Sequence, residues 1–320
     1  MADINQIEAL NSPPAPADDF VSVVIPVYNR LELLSRTLES VFEQTYKNME
    51  VLVVDDASSV DVKGFLGRYE DARVRYLRHD RNRGVAAAWN TGIAACSGRF
   101  LAFLGSDDEW SRTKVEKQVA KLGEARGTVC YCLSEIYSDS ESRVLEKRTF
   151  CAEGDILHQV LLSCMIGMNS MMARREDVVA VGPFDERMRM HSDWDFLIRL
   201  AARYRFSCVR EVLNRDHWHD RSQITKGYLQ VPTYDNMILE RNRALFDADR
   251  KAHANFLRNL AYYEGLGGRK VEAMKSIVRS LSLDPFDPSP YIESVLLLAN
   301  KLEAPSIHNH QTHARTEDTR

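Results

Sequence analysis

The chain has 320 residues, 44% of them apolar and 28% charged, with a formal net charge of -4. That balance describes an ordinary globular chain with room for one large α/β domain and a smaller addition. It gives no electrostatic reason to expect a nucleic-acid partner.

The opening residues, Met1-Ala2-Asp3-Ile4-Asn5, have neither a basic region nor an apolar core, so no signal peptide is expected. The longest late apolar run, 295–299, is far short of the roughly 20 residues that span a bilayer. The expectation is a cytoplasmic protein. The six cysteines show no Cys-x-x-Cys spacing, which reads as buried free thiols rather than a disulfide framework or a zinc site. Cys130 and Cys132 alternate along one predicted strand and share a face.

Residues 1–19 are polar, contain Pro13-Pro14-Ala15-Pro16, and read as a flexible arm. The first strand is predicted at 21–26. Leu33, Leu34, Leu38, Val41 and Phe42 then mark an amphipathic helix. A second strand at 51–54 ends in Asp55-Asp56, and a third falls at 74–77. The loop Arg81-Asn82-Arg83-Gly84 leads to a helix through Ala88, Trp89, Ile93 and Cys96, and a fourth strand at 100–104 follows. Strands alternating with helices imply parallel βαβ units with both sheet faces covered.

The fourth strand breaks at Gly105-Ser106 and runs into two carboxylates, Asp107 and Asp108. Desolvating adjacent charges is costly without a partner. At the carboxyl end of a parallel strand the usual partner is a ligand or a cation. Hard oxygen donors there suit Mg²⁺ or Mn²⁺. The alternative is a solvated turn whose carboxylates cap the next helix.

Val115, Val119 and Leu122 fit that helix, and 129–133 fits another strand. The polar stretch 134–150 has the look of a hairpin. Residues 155–165 read as helical and 170–174 as extended, and Gly182-Pro183-Phe184-Asp185 reads as a turn. Ser192 can cap a helix over 193–204 that buries Leu197, Leu200, Ala201 and Tyr204. A short strand near Val209 leads into a polar loop, 214–225. From about residue 226 only helical periodicity remains. Residues 268–285 resemble one hairpin of a tetratricopeptide-like repeat, without a second copy. The tail 304–320 reads as disordered, with His308, His310 and His313 solvated.

Val21-Ser22-Val23-Val24-Ile25-Pro26-Val27-Tyr28-Asn29-Arg30, then Val53-Val54-Asp55-Asp56-Ala57-Ser58, then the segment from Asn82-Arg83-Gly84 to Asn90, precede Asp107-Asp108 in order. Over roughly 20–225 the chain resembles the family 2 glycosyltransferases of GT-A fold. The resemblance implies an α/β, mostly parallel sheet flanked by helices; 226–303, helical in periodicity and without clustered polar residues, reads as a C-terminal appendage outside the catalytic site. It implies an inverting enzyme that moves a sugar from a nucleotide-diphosphate donor, UDP-linked by preference, to a saccharide or lipid-linked hydroxyl in polysaccharide or glycoconjugate synthesis. Contact with the inner membrane surface follows from that role, and self-association through the appendage is a further expectation.

The resemblance implies donor contacts from Pro26, Tyr28, Asp56, Asn82, Arg83 and Asp107, with Asp55 as a loop-positioning neighbour. It implies a divalent cation, Mn²⁺ or Mg²⁺, on Asp108, Asp107 and His219, with His217 as the competing imidazole. Arg221 would touch the leaving group. Relatives carry an Asp where this chain has Gly105, and a Glu-Asp pair where it has Ser192-Asp193. Asp193 is therefore the candidate general base. Trp194 is either an acceptor wall or core, and Asp195 is expected to pair with Arg199 at i, i+4. A sugar-nucleotide pyrophosphorylase would need a glycine-rich loop after the first strand, and Pro26-Val27-Tyr28-Asn29-Arg30 has no glycine. The same absence argues against a dehydrogenase. Gly105 and Ser192 keep a non-catalytic nucleotide-binding or protein-binding scaffold open as an alternative.

Overall fold

The computed structural model describes residues 19–69, 71–123, 128–219 and 229–298. Its first half follows the predicted alternation. Strands β1 (Val21–Val27), β2 (Met49–Asp55), β3 (Val74–Arg78) and β4 (Phe100–Phe103) lie parallel in the order β3-β2-β1-β4. Helices α1 (Leu31–Phe42), α2 (Val62–Leu66) and α3 (Val85–Ala95) make the crossovers. All of β2 and β4, and all of β1 but Pro26, are buried, as their unbroken apolar runs require.

The second half is mixed rather than parallel. Its elements are β5 (Glu109–Trp110), α4 (Lys114–Gly123), β6 (Thr128–Ser138), β7 (Arg143–Arg148), α5 (Leu157–Leu162), β8 (Met171–Arg174), α6 (Arg175–Val181), α7 (Ser192–Ala201) and β9 (Arg205–Trp218). From β4 the sheet continues through β8 and β6 by antiparallel pairing, then β9 parallel to β6 and β5 antiparallel to β9. The stretch 134–150 is a hairpin, with β7 against the outer part of β6. What reads as a polar loop from 214 is, up to Trp218, the outer half of β9, paired with β6 from Ser134↔Asn214 to Ser138↔Trp218. Arg215 there pairs with Glu135 and Glu109, so cross-strand charge pairs replace the apolar alternation that would have signalled a strand.

Four further expectations are corrected. The helix expected over 155–165 covers only α5, and α7 stops at Ala201. Its N-cap is His191 at φ 60°, not Ser192. Cys151 and Cys208 form a disulfide, because β9 brings Cys208 beside the segment that bridges Gly154 to Phe206, with the Cα atoms 5.6 Å apart. Cys96, Cys130 and Cys132 are buried free thiols, as expected, and Cys164 is an exposed one.

The C-terminal helices are α8 (Val231–Arg241), α9 (Arg243–Ala248), α10 (Arg250–Leu266), α11 (Lys270–Leu283) and α12 (Ser289–Leu298). They are less separate than the sequence suggests. Ile238, Phe246, Phe256 and Leu257 are fully buried in the same core as Val24, Leu101 and Phe103. Trp194 of α7 packs on Phe256 with ring centroids 5.3 Å apart. The arm up to residue 18 and the tail from 299 lie outside the described residues.

Candidate active site

The end of β4 is built by a residue that no motif announced. Asn169 precedes β8 in a single 3-10 turn, Met168–Ser170. Its Oδ1 accepts the Gly105 N–H at 2.9 Å. That bond turns its Nδ2 toward two carboxylates, Asp108 at 2.6 Å and Asp216 at 2.9 Å. The Trp110 indole donates to its carbonyl at 2.8 Å. Asp108 also accepts the His217 N–H at 2.8 Å, and Asp216 accepts from Asn214 at 3.0 Å and Arg148 at 3.2 Å. Burial pushes the Asp108 carboxyl well above the carboxylate range, and the charges of Asp216 and Asp107 add to it.

Asp107 is more open and pairs with Arg30, while its carbonyl accepts from Arg36 at 3.0 Å. Arg36 also reaches Asp139 at 3.2 Å. Both predicted imidazoles converge on Asp139, His217 Nδ1 at 2.7 Å and His219 Nδ1 at 3.0 Å. Burial opposes the Asp139 charge, but the bond and charge of His217 and the nearby Arg36 hold its carboxyl below the usual range. Burial lowers the His219 imidazole, outweighing Asp139 and Asp107. His219 Nε2 is buried without a hydrogen-bond partner among the described residues, and His217 Nε2 lies 3.4 Å from Glu109.

A second group gathers at the ends of β1 and β2. Tyr28 is 46% exposed, so its ring is open to a ligand, while Pro26 lies within β1 opposite Val54. Asp55 is fully buried and accepts from Ser58 N–H, Tyr76 and Arg78 at 2.7–2.8 Å, the loop-positioning part expected of it. Asp56 accepts from His79, the Arg83 N–H and the Gly84 N–H at 2.7–2.8 Å. Three of its roughly four acceptor sites thus hold the loop before α3. Gly84 turns there at φ 92°, which favours glycine. Arg83 pairs with Glu186, and Asn82 accepts from Arg189.

Asp193 lies in the first turn of α7, half-buried, its Oδ1 accepting the Trp194 N–H at 2.9 Å. Trp194 is core, donating to the Val160 carbonyl at 2.7 Å. Asp195 is fully buried and holds Arg199 at 2.9 Å and Asn242 at 3.0 Å. Burial pushes the Cys164 thiol well up, with the charge of Asp193 adding to it and that of Arg148 opposing it. Arg221, with Asp220 and Ser222, lies outside the described residues.

The structure therefore joins Asp107, Asp108, His217 and His219 in one network with Arg30, Arg36, Asp139, Asn169 and Asp216, and keeps Asp56, Asn82 and Arg83 in a neighbouring loop. Among the described residues no three His, Cys, Asp or Glu side chains converge closely enough to hold a metal. The donor chemistry nevertheless fits a divalent cation. Hard carboxylate oxygens crowd one strand end, and the buried His219 Nε2 near them has no partner among the described residues.

Sheet order, strand-end carboxylates and flanking helices are those of the GT-A fold. The sequence matches "Glycosyl transferase family 2" over residues 22–181, and the chain belongs to that family. An "Amylovoran biosynthesis glycosyltransferase AmsB" of Erwinia amylovora is 30% identical over 209 residues, 61% of this chain and 69% of that one. An Escherichia coli protein, "UDP-Glc:alpha-D-GlcNAc-diphosphoundecaprenol beta-1,3-glucosyltransferase WfgD", is 35% identical over 160 residues, 49% and 62% respectively. An "Uncharacterized glycosyltransferase" of Rickettsia felis is 28% identical over 68% of this chain, and the matched part spans only 37% of that longer protein. The fold is that of S. aureus TarS 1-349, with TM-score 0.61 and 15% identity over 92% of this chain and 90% of that one. It is also that of the Pyrobaculum calidifontis mannosyltransferase PcManGT in complex with GDP-Man and Mn²⁺, with TM-score 0.60 and 16% identity over 95% and 88%. No helix among the described residues is long and apolar enough to cross a membrane.

Proposed function

We propose that this chain is an inverting glycosyltransferase that moves a sugar from a nucleotide-diphosphate donor to an acceptor hydroxyl in surface-glycan synthesis. The observation that carries the reading is the strand-end network, where Asp107 and Asp108 stand between the cations Arg30 and Arg36 and the carboxamide of Asn169. Asp107 and Asp108, with His219 beside them, would hold Mn²⁺ or Mg²⁺, which when bound neutralises the leaving diphosphate. Arg30 and Arg36 supply fixed positive charge on the same side. The open Tyr28 ring is a surface for the base, and the Asp56 loop shapes the rest of that pocket. Arg221 remains the proposed further contact to the leaving group.

On the other side Asp193 takes the proton of the acceptor hydroxyl as its oxygen attacks the anomeric carbon and the bond to the diphosphate breaks. The Escherichia coli relative's name supports a UDP-sugar donor and a diphosphoundecaprenol-linked acceptor. An acceptor of that kind would be met at the inner membrane face.

Thermal shift with UDP, GDP and their sugars, with and without Mn²⁺, tests donor and cation together. UDP plus Mn²⁺ is expected to raise the melting temperature, since a ligand that binds only the native state stabilises it by RT ln(1 + [L]/Kd). Asp193→Asn is expected to keep that shift and lower turnover about a hundredfold or more, the scale of general base catalysis. Nucleotide binding without turnover in the native chain would favour the scaffold reading instead.

A further inference from the structure

We propose that His191 is a positioning residue for transfer, pinned by Asp235 of α8, which fixes the turn that presents Asp193. The proposal rests on Asp193 being the base.

Three observations converge on His191. Its backbone is left-handed at φ 60°, a conformation that persists in a non-glycine residue where the surroundings enforce it. Its carbonyl accepts the Asp195 N–H at 3.1 Å, so this turn opens α7 two residues ahead of Asp193. Its Nδ1 is bonded to Asp235 Oδ1 at 2.6 Å, a contact between the α/β sheet half and the helical region. The ring stands edge-on to Trp194 with centroids 5.8 Å apart, and Asp235 is 4% exposed against 31% for His191. A second-position carboxylate that fixes the tautomer and tilt of a histidine is a recurrent device for aiming it.

The surrounding charges agree with the geometry. Burial works against a charged ring, but Asp235, by charge and hydrogen bond, and then Asp193 raise the imidazole above its ordinary value. Behind Asp235 the Tyr263 phenol of α10 is pushed up by burial and by that carboxylate. The charges of Asp193 and Arg148 act on Cys164. Two carboxylates thus act on His191, Asp235 from the helical region and Asp193 in the first turn of α7. A base on a turn that does not move is ready for the acceptor hydroxyl. The C-terminal helices, expected to stand apart from the site, would then govern it.

The test separates charge from position. The His191 imidazole is followed by ¹³C NMR against pH in the full chain. Its midpoint is expected to fall in Asp235→Asn and, by the partner charge alone, in Asp193→Asn. An unchanged midpoint in Asp235→Asn would overturn the proposal without any activity measurement. His191→Asn keeps a side chain that tolerates the left-handed turn and can still donate to Asp235, but carries no charge. With UDP-glucose and a synthetic GlcNAc-diphospho-lipid acceptor, it is expected to lower kcat about tenfold at unchanged donor KM. Asp235→Glu, which keeps the carboxylate, is expected to lose less kcat than Asp235→Asn. A purely structural pair would lower the melting temperature and leave kcat of the folded enzyme unchanged, which would also refute the idea. If Asp193→Asn itself turns over normally, the base assignment fails, and the NMR arm still decides whether the pair is coupled.

Discussion

Asn169→Ala is the sharpest perturbation of the strand-end network, because one carboxamide makes three bonds that alanine cannot. Two go to carboxylates, Asp108 and Asp216, and one comes from the Gly105 N–H. Bonds to charged groups contribute about 1.5–3 kcal/mol each and a neutral one about 1 kcal/mol. Their sum overstates the loss, since Asp216 keeps Asn214 and Arg148 and Asp108 keeps the His217 N–H. A net loss of about 3 kcal/mol remains. With an unfolding entropy near 2.1 cal/mol/K per residue over ~270 residues, that is a fall of roughly 5 °C in melting temperature. Asn169→Asp is nearly isosteric but puts a third carboxylate where two already repel, so its loss should exceed that of alanine. Calorimetric scans of the three proteins at neutral pH measure the order. A fall under ~1 °C for Asn169→Ala, or an aspartate variant no worse than alanine, would refute the assignment of Asn169 as the tie between the carboxylates.

Asp56→Ala should free the loop before α3, since His79, Arg83 and Gly84 all donate to that carboxylate; hydrogen exchange at the Arg83 and Gly84 amides should quicken while the β2 amides stay protected. Lys114 is fully buried, 2.8 Å from Gln118 Oε1 and over the Trp110 ring, and burial lowers its ammonium to about 8. The unfolded chain keeps that proton to about 10.4, so stability should rise with pH across this window. Urea unfolding at both ends should show this rise in the native chain and a flatter response in Lys114→Met. Ending the chain at residue 228 should expose Trp194 and the shared core around Ile238, Phe246 and Phe256. Loss of a cooperative melt and dye binding to apolar surface are expected, and a cooperative transition would show that the α/β part folds alone.

The parallel half of the sheet was legible because β1, β2 and β4 are apolar runs ended by turn residues, a signal that depends on local sequence alone. The outer half of β9 was not, because its polar residues find partners far away in the chain, such as Glu135 and Glu109, 80 and 106 positions from Arg215. The same divide runs through the site. Asp107, Asp108, His217 and His219 stand out as polar clusters in the sequence and meet in space. Asn169 and Asp139 sit in stretches without a motif, and only the pairing of β4 with β8 and of β6 with β9 gives them neighbours. A polar residue directly before the buried strand β8 was the available hint for Asn169. Asp235 left no such hint, since its role depends on how the C-terminal helices pack against α7.

Gly105 looks from sequence like a lost aspartate, a ligand deleted from the strand end. The geometry makes it a committed substitution. A Cβ there would stand 2.7 Å from Asp108 Oδ2 and 3.0 Å from Asp107 Oδ1. Asp108 cannot simply swing aside, because Asn169 and the His217 N–H hold both of its oxygens. An aspartate at 105 would therefore dislodge Asp108 unless Asn169 and β9 gave way with it.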